Sequence, residues 1–153
     1  MAIKVSKIHV WAAEIHDQAG GLAGVLGPLG EAGANLECVI ARRNAARPGA
    51  GSVFVTPLKG KKVIAAATAA GFRETERIVT LKVEGPNVGG LGAKITAAIG
   101  AAGVSLRGCS AAVIGNKFVC YIGFDGDDDA KRAAAAIKNM GKKKPSCGCA
   151  CGC

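Results

Sequence analysis

The chain combines segments in which apolar and polar residues alternate with segments in which apolar residues recur at helical spacing. Residues 4–15 alternate, with Ile8, Val10 and Ala12 on one face, which predicts one strand with a single buried face. From Gly20 the apolar residues follow helical spacing until Gly33, a usual residue type just beyond a helix C-terminus. The predicted inward residues are Ile8, Val10 and Ala12 in this strand, Leu22, Val25, Leu26 and Leu29 in this helix, and Val63, Ile64, Ala67 and Ala70 in a second helix.

Further strands and helices follow from the same two periodicities. The first half ends with two strands, the second helix and a short closing strand, so that it reads βαββαβ. The second half repeats this order, but no apolar strand follows Gly141. The second unit is therefore predicted to lack its last strand, unless the tail or another chain supplies it. The predicted strands are 35–43, 51–57, 72–76, 78–84, 104–114 and 117–124, and the predicted helices of the second half are 90–102 and 130–140.

An internal repeat divides the chain into two similar units. Residues 17–36 recur seventy positions further on, at 87–106. Two copies of one supersecondary unit predict two similar domains. We expect these domains at 1–76 and 77–141, followed by a flexible tail, rich in Lys and Cys, at 142–153. The identical pairs are Gly20 and Gly90, Ala23 and Ala93, Gly30 and Gly100, Ala32 and Ala102, Gly33 and Gly103, and Leu36 and Leu106.

The repeated stretch resembles a known family. The pattern Asp-x-x-Gly-x-Leu-Ala-x-Val-Leu-x-x-Leu-x-Glu-Ala-Gly-Ala-Asn-Leu at 17–36 resembles the start of an ACT domain, a small module that binds amino acids and regulates other proteins. The second copy is a weaker match, and residues 5–140 resemble a stand-alone tandem ACT protein. The resemblance implies an α+β fold of two ferredoxin-like βαββαβ units side by side. It also implies packing within or between chains into an eight-stranded sheet, and a non-catalytic regulatory function.

The resemblance implies a small amino acid bound between the first loop of one domain and the second strand of its neighbour, and hence a homo-oligomer such as a dimer. Free N–H groups at a helix start bind a carboxylate, and glycine lets a ligand approach closely. Asp17 would accept the ligand's ammonium group, and Asn35 could bind either end. Alternatively, Asp17 only caps the helix and Asn35 only satisfies a strand end. The ligand-binding residues so implied are Asp17, Gln18, Ala19, Gly20, Gly21, Leu22, Asn35 and Leu36, and in the second copy Asn87, Val88, Gly89, Gly90, Leu91 and Ser105.

The C-terminal tail suggests a different function. Its last residues carry a thiol at every second position, a spacing that resembles the Cys-x-Cys runs of metallothioneins. Four such thiols could wrap one soft ion, Zn²⁺ or Cu(I), so metal handling is the alternative function. A flexible tail that binds no metal is the simpler interpretation. No other cofactor is expected. The predicted metal ligands are Cys147, Cys149, Cys151 and Cys153, whereas Cys38, Cys109 and Cys120 lie in strand patterns and are predicted to be core residues.

Composition and charge bear on which kind of ligand the protein binds. Half of the 153 residues are hydrophobic but only 4% are aromatic, which predicts an aliphatic core. The net charge is +9, yet the basic residues are scattered, which is typical of a solvated surface. RNA binding on this topology needs exposed aromatics on the central strands, and the first unit offers only Phe54 there. We therefore rank nucleic acid binding below amino-acid binding.

No catalytic or membrane function is expected. His16 and Asp17 are adjacent, but no nucleophile accompanies them, so a hydrolytic triad has little support. No apolar run approaches the roughly 20 residues that a membrane span needs, and the N-terminus lacks the apolar core of a secretory signal. We expect a cytoplasmic protein that is not an enzyme.

Overall fold

The computed structural model describes residues 2–140 and 142. They form eight strands and four helices. No helix in this part of the chain is long and apolar enough to cross a membrane. The elements in chain order are β1 Lys4–Ile8, β2 Trp11–His16, α1 Gly21–Glu31, β3 Cys38–Arg43, β4 Ala50–Thr56, α2 Lys61–Ala69, β5 Arg73–Glu74, β6 Val79–Pro86, α3 Leu91–Ala101, β7 Gly108–Ile114, β8 Lys117–Phe124 and α4 Asp127–Asn139.

The strands form two antiparallel, four-stranded sheets, one in each unit. The first sheet has the order β3-β4-β2-β5, and α1 and α2 contact each other beside it. The second has the order β1-β6-β8-β7, with α3 and α4 in contact. Each unit thus has the strand order of a ferredoxin-like fold, so the predicted α+β class of two ferredoxin-like βαββαβ units is confirmed. Each unit also buries its own apolar core.

The N-terminal strand differs most from the prediction. The alternating segment 4–15 is two strands, which separate at His9 and Val10. β1 pairs with β6, so that Val5 lies opposite Val83, while β2 pairs with β4 and β5 in the other sheet. β1 therefore fills the position of the last strand that the second unit was predicted to lack. Neither the tail nor a second chain is needed to complete the sheet, although the predicted range 1–76 assigned this strand to the first unit.

The predicted inward face of the N-terminal segment is also wrong. Ala13 is 6% exposed in the first core, and Val5 packs against the second core. Ile8 and Val10 lie on the opposite face and line clefts outside both cores. Their apolar character reflects contact with the other unit, which alternation alone cannot distinguish from core burial. In α2, Ile64 is 37% exposed because only Val63 and Ala67 face the core.

Helix α1 forms despite a locally poor sequence. Four of its residues are glycines, each about 1 kcal/mol less favourable than alanine inside a helix, and Pro28 lies within it. Leu29 is fully buried in the first core. Burying a leucine side chain contributes about 2 kcal/mol, so tertiary packing rather than helix propensity holds this segment.

Candidate functional site

The two loops that precede α1 and α3 share one backbone geometry. In the first loop, the amide of Asp17 donates to the carbonyl of Gly49 (2.9 Å), and Gly20 has a φ of 80°. In the second, the amide of Asn87 donates to the carbonyl of Asn116 (3.0 Å), and Gly90 has a φ of 77°. Each loop is thus anchored to the strand connection of its own sheet. The positive φ explains why glycine recurs at the last loop position.

Gly21 is required for a different reason. A Cβ atom at this position would lie 2.4 Å from the carbonyl oxygen of His16, which no side chain tolerates. The chain therefore folds back tightly between β2 and α1. The same position in the second unit is Leu91, which is 2% exposed and packs in the second core. The two loops therefore share the hydrogen bond to the strand connection, but only the first loop has the close contact that requires glycine at the start of the helix.

Neither helix is capped by a side chain at its N-terminus. The capping residues are Gly20 and Gly90, and no side chain bonds to the first turn of either helix. The first-turn amides of a helix have no intrahelical acceptor and together carry a partial positive charge. No acidic residue lies in the first turn of α1 or α3. The first amide of each helix donates within its own loop, from Gly21 to the carbonyl of Gln18 and from Leu91 to that of Val88. The next two amides of each helix are the ones that suit a carboxylate.

Asp17 does not cap α1, contrary to the alternative considered above. Its Oδ2 atom lies 2.9 Å from Nε of Arg43, at the end of β3. The Asp17 side chain is 34% exposed and that of Arg43 is 86% exposed, so this ion pair is open to solvent. An exposed pair of this kind contributes about 0.5 kcal/mol or less, so a ligand's ammonium group could compete with Arg43 for the carboxylate.

The second loop has no equivalent ion pair. The residue seventy positions after Arg43 is Val113, which is 49% exposed. Asn87 replaces Asp17 and is also exposed. Without a carboxylate, the second loop offers less attraction to an ammonium group than the first.

The remaining predicted residues lie at the far ends of the helices. Asn35 follows α1 and Ser105 follows α3, and both are exposed. Each helix has 11 residues, which at 1.5 Å per residue places these side chains about 16 Å beyond the loops. Within one chain, the structure therefore does not bring Asn35 to Asp17, or Ser105 to Asn87. Leu22 lies in the first turn of α1 and packs against the first core. The other predicted residues lie in the two loops or beside these ends; they are Gln18, Ala19, Leu36, Val88 and Gly89.

A cleft between the two sheets was not predicted from the sequence. It has a volume of about 350 Å³ and is lined by the sheet faces opposite the helices. Its walls are mostly apolar, with guanidinium and hydroxyl groups among them. Burial raises the pKa of Tyr121 and of the Cys38 thiol, so both groups are neutral at pH 7. The side chains that line it include Val10, Ile40, Arg42, Phe54, Ile78, Thr80, Arg107, Ser110 and Tyr121.

The three cysteines within the described residues are free thiols. Cys120 is buried as predicted and Cys38 is half-buried, but Cys109 is exposed because β7 is an edge strand. No group of three or more His, Cys, Asp or Glu side chains in residues 2–140 is arranged to hold a metal ion. The predicted ligands Cys147, Cys149, Cys151 and Cys153 lie outside the described residues.

Two ferredoxin-like units with matching first loops are the arrangement that the sequence resemblance to tandem ACT proteins implied. Solved structures share this fold. Protein BT0572 from Bacteroides thetaiotaomicron is similar over 88% of this chain and 90% of its own, with a TM-score of 0.73 and 18% identity. The ligand-free regulatory subunit of aspartate kinase from Thermus thermophilus is similar over 93% of this chain and 98% of its own, with a TM-score of 0.64 and 17% identity.

The regulatory subunit of aspartate kinase from Thermus flavus is a third similar structure. It has a TM-score of 0.57 and 19% identity, and the similarity covers 92% of this chain and 97% of that one. At these identities the likeness establishes the fold alone. No protein-family model and no curated protein sequence matches the chain.

Proposed function

We propose that this chain is a non-catalytic regulatory protein that binds a small amino acid at the loop between β2 and α1. The observation that carries the proposal is that the loop offers a partial positive charge and a negative charge, one for each end of an amino acid. Uncapped first-turn amides of α1 suit the ligand's carboxylate, and the Asp17 carboxylate suits its ammonium group. Similarity in fold to regulatory subunits of aspartate kinase supports the same class of function.

The site would be completed by a second copy of the chain. Asn35 lies about 16 Å from the loop of its own chain, the length of the 11-residue helix α1. A second chain packed side by side would bring its own Asn35 and β3 to the Asp17 loop. We therefore propose a homodimer with the ligand at the interface. The second loop, with Asn87 and Ser105, would bind more weakly because it lacks a carboxylate.

A thermal-shift screen of the twenty amino acids, followed by calorimetric titration, tests this function. A ligand at a hundredfold excess over its Kd stabilises the native state by about 2.7 kcal/mol. We expect one amino acid to raise the melting temperature, and Asp17→Asn to abolish that rise. Asp128→Asn, a matched change at an exposed position in α4, should leave it intact. The proposal fails if no amino acid acts, or if both variants respond equally.

Metal binding by the tail is the alternative function. The Cys-Gly-Cys-Ala-Cys-Gly-Cys sequence at 147–153 offers four thiols to Zn²⁺ or Cu(I). Titration of the reduced chain with each ion, beside a variant with serine at Cys147, Cys149, Cys151 and Cys153, tests it. One tightly bound ion that this variant loses would support metal handling. Equal, weak binding by both proteins would contradict it.

A further inference from the structure

Two thiols of the second unit are in direct contact. The Sγ atoms of Cys109 in β7 and Cys120 in β8 lie 3.4 Å apart. In the register of these strands, Cys109 lies opposite Ile122 and Ala111 lies opposite Cys120. The two cysteines are therefore diagonal neighbours on the same face of the sheet. A disulfide has an S–S distance of about 2.05 Å, so the two sulfur atoms must approach by about 1.3 Å to form one. Diagonal neighbours lie about 7–8 Å apart, so strands β7 and β8 must also shift slightly toward each other.

The two thiols differ in accessibility. Cys109 is exposed, because β7 is an edge strand of its sheet. Cys120 is 2% exposed and belongs to the second core. A dissolved oxidant therefore reaches Cys109 directly, whereas Cys120 reacts through its neighbour. Burial raises the pKa of Cys120 to about 12, so this group stays a thiol at neutral pH and does not react first.

We propose that Cys109 and Cys120 are an oxidation site, at which a hydroperoxide converts the two thiols into a disulfide between β7 and β8. In the first step the Cys109 thiolate attacks a peroxide oxygen and the O–O bond breaks. The leaving hydroxide takes up a proton to become water, and Cys109 becomes a sulfenic acid. The Cys120 sulfur then attacks the Cys109 sulfur, the S–O bond breaks, and the second hydroxide leaves with the Cys120 proton. The two thiols lose two electrons, and hydrogen peroxide becomes two waters.

Oxidation would add a covalent link to the edge strand β7, which otherwise hydrogen-bonds to a neighbouring strand on one side only. β7 pairs with β8 and has no other strand beside it among the described residues. Its apolar side chains Val113 and Ile114 are 49% and 72% exposed. A disulfide at Cys109 would tie the start of this strand to the core of its unit. The inference does not depend on amino-acid binding at the first loop, which lies in the other unit.

Tryptic mapping of the full chain tests the proposal, because trypsin separates the two cysteines. Cleavage after Arg107, Lys117 and Lys131 releases Cys109 in peptide 108–117 and Cys120 in peptide 118–131. The reduced protein is treated with a small excess of hydrogen peroxide, blocked with N-ethylmaleimide in denaturant, digested and examined by mass spectrometry. We expect these two peptides to be joined as the main product and to separate on reduction.

Variants distinguish this pair from the other thiols. Cys109→Ser should abolish the joined peptides, whereas Cys38→Ser, a matched change in the first unit, should leave their yield unchanged. Cys120→Ala keeps the core apolar and should halt the reaction at Cys109, where dimedone traps the sulfenic acid. The proposal is overturned if Cys109 joins mainly to the peptide that carries the tail cysteines, or if both peptides remain fully alkylated after peroxide treatment.

Discussion

Nζ of Lys82 in β6 lies 2.8 Å from the carboxylate of Glu37, which directly precedes β3, so this ion pair joins the two units. The Lys82 side chain is 17% exposed and that of Glu37 is 50% exposed. The hydrogen bond from Lys82 lowers the pKa of Glu37, and the same bond raises the pKa of Lys82. Lys82 also lies 3.5 Å from Glu84 on its own strand. The contact between the sheets is therefore partly electrostatic.

Replacing Glu37 should weaken the contact between the units. Glu37→Gln removes the charge that Lys82 meets, and we expect a loss of about 0.5 kcal/mol of unfolding free energy because the pair is partly exposed. Glu76→Gln, the same change at an exposed position, is the control. Urea unfolding followed by the fluorescence of Trp11 measures both. An equal loss in the two variants would show that net charge, rather than this pair, is responsible.

Asp127 should make stability depend on pH only under strongly acidic conditions. Hydrogen bonds from Lys131 and Lys7 lower the pKa of Asp127 from 3.8 to about 2. A carboxyl group whose pKa falls on folding stabilises the native state above its unfolded pKa, and this contribution is lost as the pH falls toward the folded pKa. The difference in urea midpoint between the native chain and Asp127→Asn should therefore be constant above pH 5 and shrink between about pH 4 and pH 2. A difference that grows on acidification would contradict the assignment.

The repeat, the helices and the ferredoxin-like class could be predicted from the sequence because their signals are local. Helical spacing gave α1 and α3 within one or two residues at each end. Glycine at positions 20 and 90 marked the loops, because their positive φ favours that residue. The first-turn amides of the candidate site follow from the same local pattern. Predicting these features does not require knowing which strands pair.

The membership of β1 in the sheet of the second unit could not be predicted, because alternation does not reveal which sheet a strand joins. Neither glycine nor proline interrupts the segment at His9 and Val10, where the chain crosses from one sheet to the other. The cleft was missed for a related reason. Val10 has the apolar character of a core residue but lines the cleft between the two sheets. Pairings between distant residues, such as Asp17 with Arg43, likewise depend on tertiary structure.

Two glycines of α1 should respond oppositely to replacement by alanine. In Gly21→Ala, the new Cβ would lie 2.4 Å from the His16 carbonyl oxygen, so the loop must shift, at a cost of about 2 kcal/mol. At Gly24 the new Cβ would meet no atom within 4 Å beyond its own stretch of helix, and alanine is about 1 kcal/mol more favourable than glycine in a helix. Urea unfolding should therefore show a loss for Gly21→Ala and a gain for Gly24→Ala. Equal effects would contradict the close packing at Gly21.

The position of β1 in the second sheet predicts which unit responds to a mutation near the N-terminus. Val5 packs against the second core, although its sequence position adjoins the first unit. Val5→Asp places a charge against that core and should increase amide hydrogen exchange in β6 and β8, while β2 and β4 remain protected. Ser6→Asp is the control, because Ser6 is next in the same strand but on the other face of the sheet. There it lies opposite Lys82, whose ammonium group can donate to the new carboxylate. Increased exchange confined to β2 and β4 would instead assign residues 4–8 to the first unit.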